Sequence, residues 1–277
     1  MESINCRGTL LELNRPKIMG ILNLTPDSFF DGGRYENQQE VLSRADLLIS
    51  QGADILDLGA YSSRPGAKHV SEEEELKRLV PALELIHSKY PKAIISVDTF
   101  RSKVAEKAVE KGASIINDIS AGSLDPLMFD TVAEMQVPYI AMHMQGRPEN
   151  MQDNPEYKNI TEELLYYFSE IRNQLFQLGL NDLIIDPGFG FGKTLEHNYQ
   201  ILAELDVFQH LDLPMLIGLS RKSMLYKPLN IPPQEALNAT TAAHMMALNK
   251  GAQILRVHDV KEAKQAITIF ELTHEQA

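Results

Sequence analysis

Ser220, Arg221, Lys222 and Ser223 follow directly on the apolar run PMLIGL at 214–219. Such residues are costly to bury unless something polar or anionic meets them, so the group either caps a helix or binds a ligand. The same juxtaposition, an apolar run ending on a polar residue, recurs along the chain. The other ends carry Asn23, Asp57, Asp98, Asn117 with Asp118, His143, Asp186, and Arg256 with His258 and Asp259. Residues two apart on a strand share a face. Arg256 and His258 therefore point together, Ile254 lies beneath them, and Asp259 turns outward as a structural partner. Where the ends converge, Arg64, Lys222, Arg256 and His258 gather cationic donors beside the backbone N–H groups of the Lys222 turn. That collection suits a phosphate or a carboxylate.

Convergence depends on the elements beneath. Eight short runs rich in Ile, Val and Leu occupy 17–24, 53–60, 93–99, 114–120, 138–144, 183–188, 214–220 and 252–259. Amphipathic stretches such as SEEEELKRLVPALELIHSKY and TEELLYYFSEIRNQLFQLG separate them. Continuous apolar runs alternating with helices are the pattern of parallel strands buried on both faces. Eight such units fit an α/β fold of the (β/α)8 TIM-barrel type, whereas a doubly wound sheet usually stops at about five or six strands. No linker-like segment interrupts the chain, so residues 1–277 read as one domain, with 1–16 a leading segment that pairs across the barrel floor. In this fold chemistry sits at the C-terminal ends of the strands, where the polar residues stand.

Composition narrows the ligand. The 277 residues are 44% hydrophobic and 23% charged with a net charge of −12, an ordinary globular composition whose acidity argues against sequence-independent nucleic-acid binding. No stretch approaches the ~18 apolar residues of a membrane span, and the N-terminal segment lacks the basic and apolar regions of a secretory leader. The cytoplasm is the expected location. The single Cys6 excludes an internal disulfide framework and reads as an inert thiol near an exposed terminus. No H-E-x-x-H or Cys/His spacing suits tightly held zinc. Mg²⁺ completes its shell from phosphate and water, so Asn23 suffices as its protein ligand if the substrate is a diphosphate.

DPGFGFGKT at 186–194 approaches a phosphate loop but fails, because Pro187 stands where that motif needs its first glycine and Lys193 where the dinucleotide motif needs its third. Lys193 reads as a surface or helix-entry residue, while Phe189 and Phe191 offer flat apolar surfaces to an aromatic ligand.

ILNLTPDSFFDGG, SSRPGA, SVDTFR, NDISAG, MHMQGRP, DPGFGFGKT, IGLSRKSML and RVHDV, in this order from about residue 17 to about 264, resemble the dihydropteroate synthase family. The resemblance implies condensation of 6-hydroxymethyl-7,8-dihydropterin diphosphate with 4-aminobenzoate to 7,8-dihydropteroate and diphosphate. It implies that Asp98, Asn117, Asp186 and Lys222 hold the pterin, and that Asn23, Arg64, Arg256 and His258 serve the diphosphate and Mg²⁺. Ser63 and Ser223 match positions near the aminobenzoate, with Pro65 and Phe191 as apolar walls. Asp98, Lys222, Arg64, Arg256 and His258 are the residues expected to act on the reacting groups. A homodimer through the last helices is also implied, and sulfonamides should compete with the aminobenzoate.

Two positions depart from the family pattern: Tyr61 replaces a Glu in the second loop, and Phe30 a small polar residue in the first. Other readings are a pterin-dependent methyltransferase of the same superfamily, a Schiff-base aldolase using Lys222, and a non-catalytic paralogue that only binds. A methyltransferase would have little use for a diphosphate site, an aldolase would leave the acidic and amide residues unexplained, and the intact residue set argues against a paralogue without activity.

Overall fold

The computed structural model of the chain describes residues 3–24, 34–61, 70–148 and 150–274. Eight parallel strands form the barrel: β3 (Lys17–Asn23), β4 (Ile55–Gly59), β5 (Ile94–Asp98), β6 (Ile115–Asp118), β7 (Tyr139–Met142), β8 (Leu183–Asp186), β9 (Leu216–Ile217) and β10 (Ile254–Val257). Neighbours run in the order β8-β7-β6-β5-β4-β3-β10-β9, and a parallel bridge between Ile185 and Met215 joins the two ends. The architecture is the expected (β/α)8 barrel.

Each strand buries both faces, as the continuous apolar runs require. Outward residues such as Ile18, Leu56, Ile95 and Ile185 pack against the helices in the main core. Inward, one apolar residue per strand closes the floor: Met19, Ile55, Ile94, Ile115, Ile140, Ile184, Leu216 and Ile254 form one cluster with Ile4, Cys6, Leu11 and Leu13. Those last four belong to the leading segment, whose strands β1 (Ser3–Cys6) and β2 (Thr9–Glu12) pair antiparallel with Cys6 opposite Thr9. The two-residue turn Arg7-Gly8 has positive φ at both positions, the geometry that matches strand twist in a tight hairpin. The expected cover of the floor is thus a hairpin. Cys6 is buried in it, contrary to the expected exposure, and burial pushes its thiol up to about 12.

Period-2 alternation then sets the next inward layer. Two residues beyond the floor come Ile21, Asp57, Ser96, Asn117, Met142, Asp186, Gly218 and Arg256. An apolar floor therefore carries a layer that is polar at Asp57, Ser96, Asn117, Asp186 and Arg256. Strand β9 is shorter than its run at 214–220, and Pro214 ahead of it has no N–H to give a ladder. Its carbonyl still accepts from Ile185 N at 2.9 Å, so the barrel stays closed there.

Candidate active site

Asp98 ends β5, Asp57 lies within β4, and Arg256 reaches both from β10. Arg256 Nε donates to Asp57 Oδ2 at 2.7 Å and Nη2 to Asp98 Oδ2 at 2.8 Å. One guanidinium thus bridges two carboxylates from neighbouring strands, a fork geometry that lysine could not reproduce. Burial lifts Asp98 to about 7, against the pull of Arg256 and with a further push from Asp57. Arg256, although buried, is held above its ordinary value by the two carboxylates. Asn117 Nδ2 stands 3.4 Å from Asp57 Oδ2, extending the network to β6. Gly59 leaves the next space open: a Cβ there would lie 3.7 Å from Asn23 Oδ1 and 3.8 Å from Asp98 Cβ.

Across the cavity, Asp186 ends β8 and accepts Gly188 N–H at 2.8 Å. Lys222 faces it over Gly218, where a Cβ would lie 4.0 Å from both Asp186 Oδ2 and Lys222 Nζ. Lys222 Nζ donates to Phe189 O and lies 4.6 Å from the Phe191 ring centroid. Burial lowers Lys222 to about 8, opposed by Asp186 and assisted by Arg256. Burial also raises Asp186, while Lys222 draws it down. The barrel mouth therefore presents carboxylate, amide and ammonium groups around one space, suited to a flat heterocycle with donors on one edge and acceptors on another.

The residues after β9 diverge. Arg221, at φ 54, turns away and makes a bidentate pair with Asp259 at 2.8 and 2.7 Å, the structural partnership expected for Asp259. Lys222 alone points into the cavity. Ser220 Oγ lies 3.2 Å from His258 Nδ1, which brings His258 to the β9 side of the mouth. Ser223 opens α7 (Ser223–Tyr226), whose single turn offers only a small dipole to a carboxylate.

Several expectations change. Arg256 does not stand among free cations; it is committed to Asp57 and Asp98, because a buried carboxylate pair needs a counter-charge. Asp57 belongs to this network although it carried no assigned role, and its signal was an acid at an inward position of an otherwise apolar strand. Phe189 is fully buried in the main core, so of the two phenylalanines only Phe191 faces the cavity. Lys193 is not a surface residue: it is 3% exposed, with Nζ 3.0 Å from His143 Nδ1. Asp118 points away from the cavity, holding the turn after β6 through Ser120 and Gly122 N–H groups at 2.7 and 2.8 Å. Tyr61 packs edge-on against Phe100, with the Arg101 guanidinium 5.5 Å from its ring centroid. Ser63, Arg64, Pro65 and Phe30 lie outside the described residues.

Among the described residues no group of three or more His, Cys, Asp or Glu could hold a metal ion. The donor set near Asp98 offers the neutral amide oxygen of Asn23, which fits an ion retained chiefly by substrate oxygens and water and does not fit a tightly held one.

The sequence matches the family described as "Pterin binding enzyme" over residues 19–258. It is 45% identical over 269 residues to the dihydropteroate synthase of Escherichia coli K12, covering 96% of this chain and 95% of that one. The chain belongs to the dihydropteroate synthase family. Among solved structures of this family, the Yersinia pestis dihydropteroate synthase in a sulfonamide drug complex superposes with a TM-score of 0.92 at 42% identity, covering 99% of this chain and 100% of that chain. The Xanthomonas albilineans dihydropteroate synthase with 4-aminobenzoic acid gives 0.90 at 38% identity, covering 99% and 98%.

Proposed function

We propose that this chain condenses 6-hydroxymethyl-7,8-dihydropterin diphosphate with 4-aminobenzoate, forming 7,8-dihydropteroate and diphosphate. The observation that carries the reading is the group of Asp57, Asp98, Asn117, Asp186, Lys222 and Arg256 at the mouth of a barrel that, over nearly its whole length, resembles those of dihydropteroate synthases. A pterin edge rich in N–H groups meets Asp98, Asn117 and Asp186, and its acceptors meet Lys222.

The step is a substitution at the exocyclic methylene. Its C–O bond breaks with both electrons leaving on diphosphate, and the cation left behind is delocalised into the electron-rich pterin. The aniline lone pair then forms the C–N bond, and one N–H proton is released to solvent. Ionised Asp98 stabilises the developing positive charge, while His258 and Arg256, with Arg64 by the family resemblance, are assigned to the departing anion. Asn23 would hold Mg²⁺ through its amide oxygen, and the ion would supply further charge neutralisation for the departing diphosphate. The family resemblance assigns Ser63, Ser223, Pro65 and Phe191 to the aminobenzoate, whose place a sulfonamide would take.

The same reading takes residues 1–277 as one cytoplasmic barrel domain. No described helix is long and apolar enough to cross a membrane. It also takes the protein as a homodimer through α8 (Leu237–Asn249) and α9 (Val260–His274), where Met246, Ile269 and Leu272 are 50%, 56% and 53% exposed. Dihydropteroate formation assayed with both substrates, each alone, and in excess chelator tests the function. Product should require both substrates and fall with chelator. Failure to form product with both present and Mg²⁺ added would overturn the reading.

A further inference from the structure

The loop that joins β8 to α6 (Leu195–Ala203) is gripped at four consecutive carbonyls. Lys222 Nζ donates to Phe189 O, Gln152 Nε2 to Gly190 O at 2.7 Å, Lys193 Nζ to Phe191 O at 3.0 Å, and Tyr157 Oη to Gly192 O at 2.7 Å. The path is also sterically set. A Cβ at Gly188, φ +69, would stand 2.0 Å from His143 O, and one at Gly192, φ +58, 2.5 Å from Gln145 O. The loop after β7, which supplies His143, Gln145, Gln152 and Tyr157, is therefore the template on which the loop after β8 lies.

Lys193 sits at the centre of this contact. Among the described residues no carboxylate comes within ion-pair distance of it. Its Nζ instead meets Phe191 O at 3.0 Å, His143 O at 3.1 Å and His143 Nδ1 at 3.0 Å. Two of these are carbonyls and can only accept. The third accepts when the imidazole carries its hydrogen on Nε2, which leaves Nδ1 free to meet a lysine N–H; burial meanwhile pushes Lys193 well below its ordinary value, so what holds it is hydrogen bonding and not an ion pair. The Tyr167 ring stands edge-on to His143 at 4.9 Å and holds its plane. Burial, aided by the Lys193 charge, keeps His143 at about 2, so it stays neutral at any working pH.

A buried lysine with no carboxylate in ion-pair contact, Asp186 acting on it only from a distance, is expensive as mere cement, since apolar residues would fill the same space without a desolvation cost. What it fixes is specific. The turn whose Phe191 carbonyl it holds presents the Phe191 ring and, two residues earlier, the Phe189 carbonyl to Lys222 Nζ, opposite Asp186. We infer that Lys193, locked by His143, is a positioning residue for the pterin subsite, acting through Phe191 and Phe189 on Lys222. The inference rests on the proposed placement of Lys222 and Asp186 at the pterin.

The test is a double-mutant cycle of Lys193→Met, Lys222→Met and the pair, reading KM for each substrate, equilibrium binding of a non-reacting pterin, and thermal unfolding. Lys193→Met should raise the pterin diphosphate KM about tenfold, the scale of losing a strong hydrogen bond, and raise the 4-aminobenzoate KM by less, because only the Phe191 ring borders that side. In the Lys222→Met background the same change should add less than about twofold, because its effect travels through Lys222. A lowered Tm with an unchanged pterin KM overturns the inference, as does a full effect in both backgrounds. An unchanged pterin KM in Lys222→Met alone would instead sink the pterin-side placement and the inference with it. Should Lys193→Met fail to fold, Tyr157→Phe, which removes only the hydroxyl on Gly192 O, takes its place in the cycle. It should raise the pterin KM about threefold, and no change overturns the inference.

Discussion

Asp98 has two opposing neighbours, and its chemistry follows from their balance. Arg256 favours its ionised form, while burial and Asp57 favour the protonated one and lift it to about 7. If the carboxylate is the active form, kcat/KM for the pterin substrate should decline as pH falls below about 7 and level off above it. Asp98→Asn should remove that limb and lower turnover by roughly 10²- to 10³-fold, the scale of losing one preorganised electrostatic group. A pH profile unchanged in the variant would assign the ionisation elsewhere. Linkage runs the other way for folding. A raised carboxylate binds its proton more tightly in the folded state, so its contribution to stability declines as pH rises from the unfolded value near ~4 towards 7. Arg256→Ala removes the shared counter-charge and strands fully buried Asp57, so we expect a loss of about 3 kcal/mol at pH 8 as well as lost turnover. That loss should shrink at pH 5, where Asp98 takes up a proton, and urea unfolding at the two pH values checks it. Equal losses at both would mean the pair is not what stabilises this end of the barrel.

At the scale of elements, the loops after β7 and β8 act as one unit because glycine lets their backbones touch. Gly188→Ala would set a Cβ against the His143 carbonyl at positive φ, so one loop must move. We expect a loss of about 3 kcal/mol or more together with a raised pterin KM. Gly179→Ala is the matched comparison. Its φ is +82 but nothing lies within 4 Å of the added Cβ, so only the conformational cost of about 1 kcal/mol should appear, with kinetics unchanged. Similar losses in the two variants, measured by denaturant unfolding, would remove the close approach as the cause. The residues after β9 follow the same logic of local geometry: positive φ at Arg221 sends its side chain outward to Asp259, and Lys222 consequently turns inward.

Across the whole molecule, the apolar seal and the charged network occupy opposite ends of one barrel. The hairpin of β1 and β2 seals the floor with Ile4, Cys6, Leu11 and Leu13, while the charged network occupies the mouth. Ile4 is fully buried, so Ile4→Ala should cost about 3 kcal/mol through the lost contacts and the cavity left behind. Turnover measured well below the lowered Tm should stay within about twofold of the parent, since the floor carries no reacting group. A large loss of kcat in a folded Ile4→Ala protein would show that the two ends are coupled.

Hydropathy period and chain order were enough to place the eight strands, to predict the floor cover, and to mark Asn23, Asp98, Asn117, Asp186, Lys222, Arg256 and His258 as ends facing one mouth. These follow from the sequence because alternation is a local property: Ile254 below Arg256 is decided within three residues of chain. Which ends touch is not local. Arg256 and Asp57 are 199 positions apart, and their pairing at 2.7 Å depends on barrel closure, register and the need of a buried carboxylate for a counter-charge. Only the tertiary structure could decide that Phe189 enters the core while Phe191 faces the cavity, because the intervening glycine uncouples their directions. The same holds for Lys193. A lysine beside a helix start reads as solvated until the fold supplies, from His143 just past β7 and 50 positions earlier, two of the three acceptors that let it be buried, Phe191 O being the third.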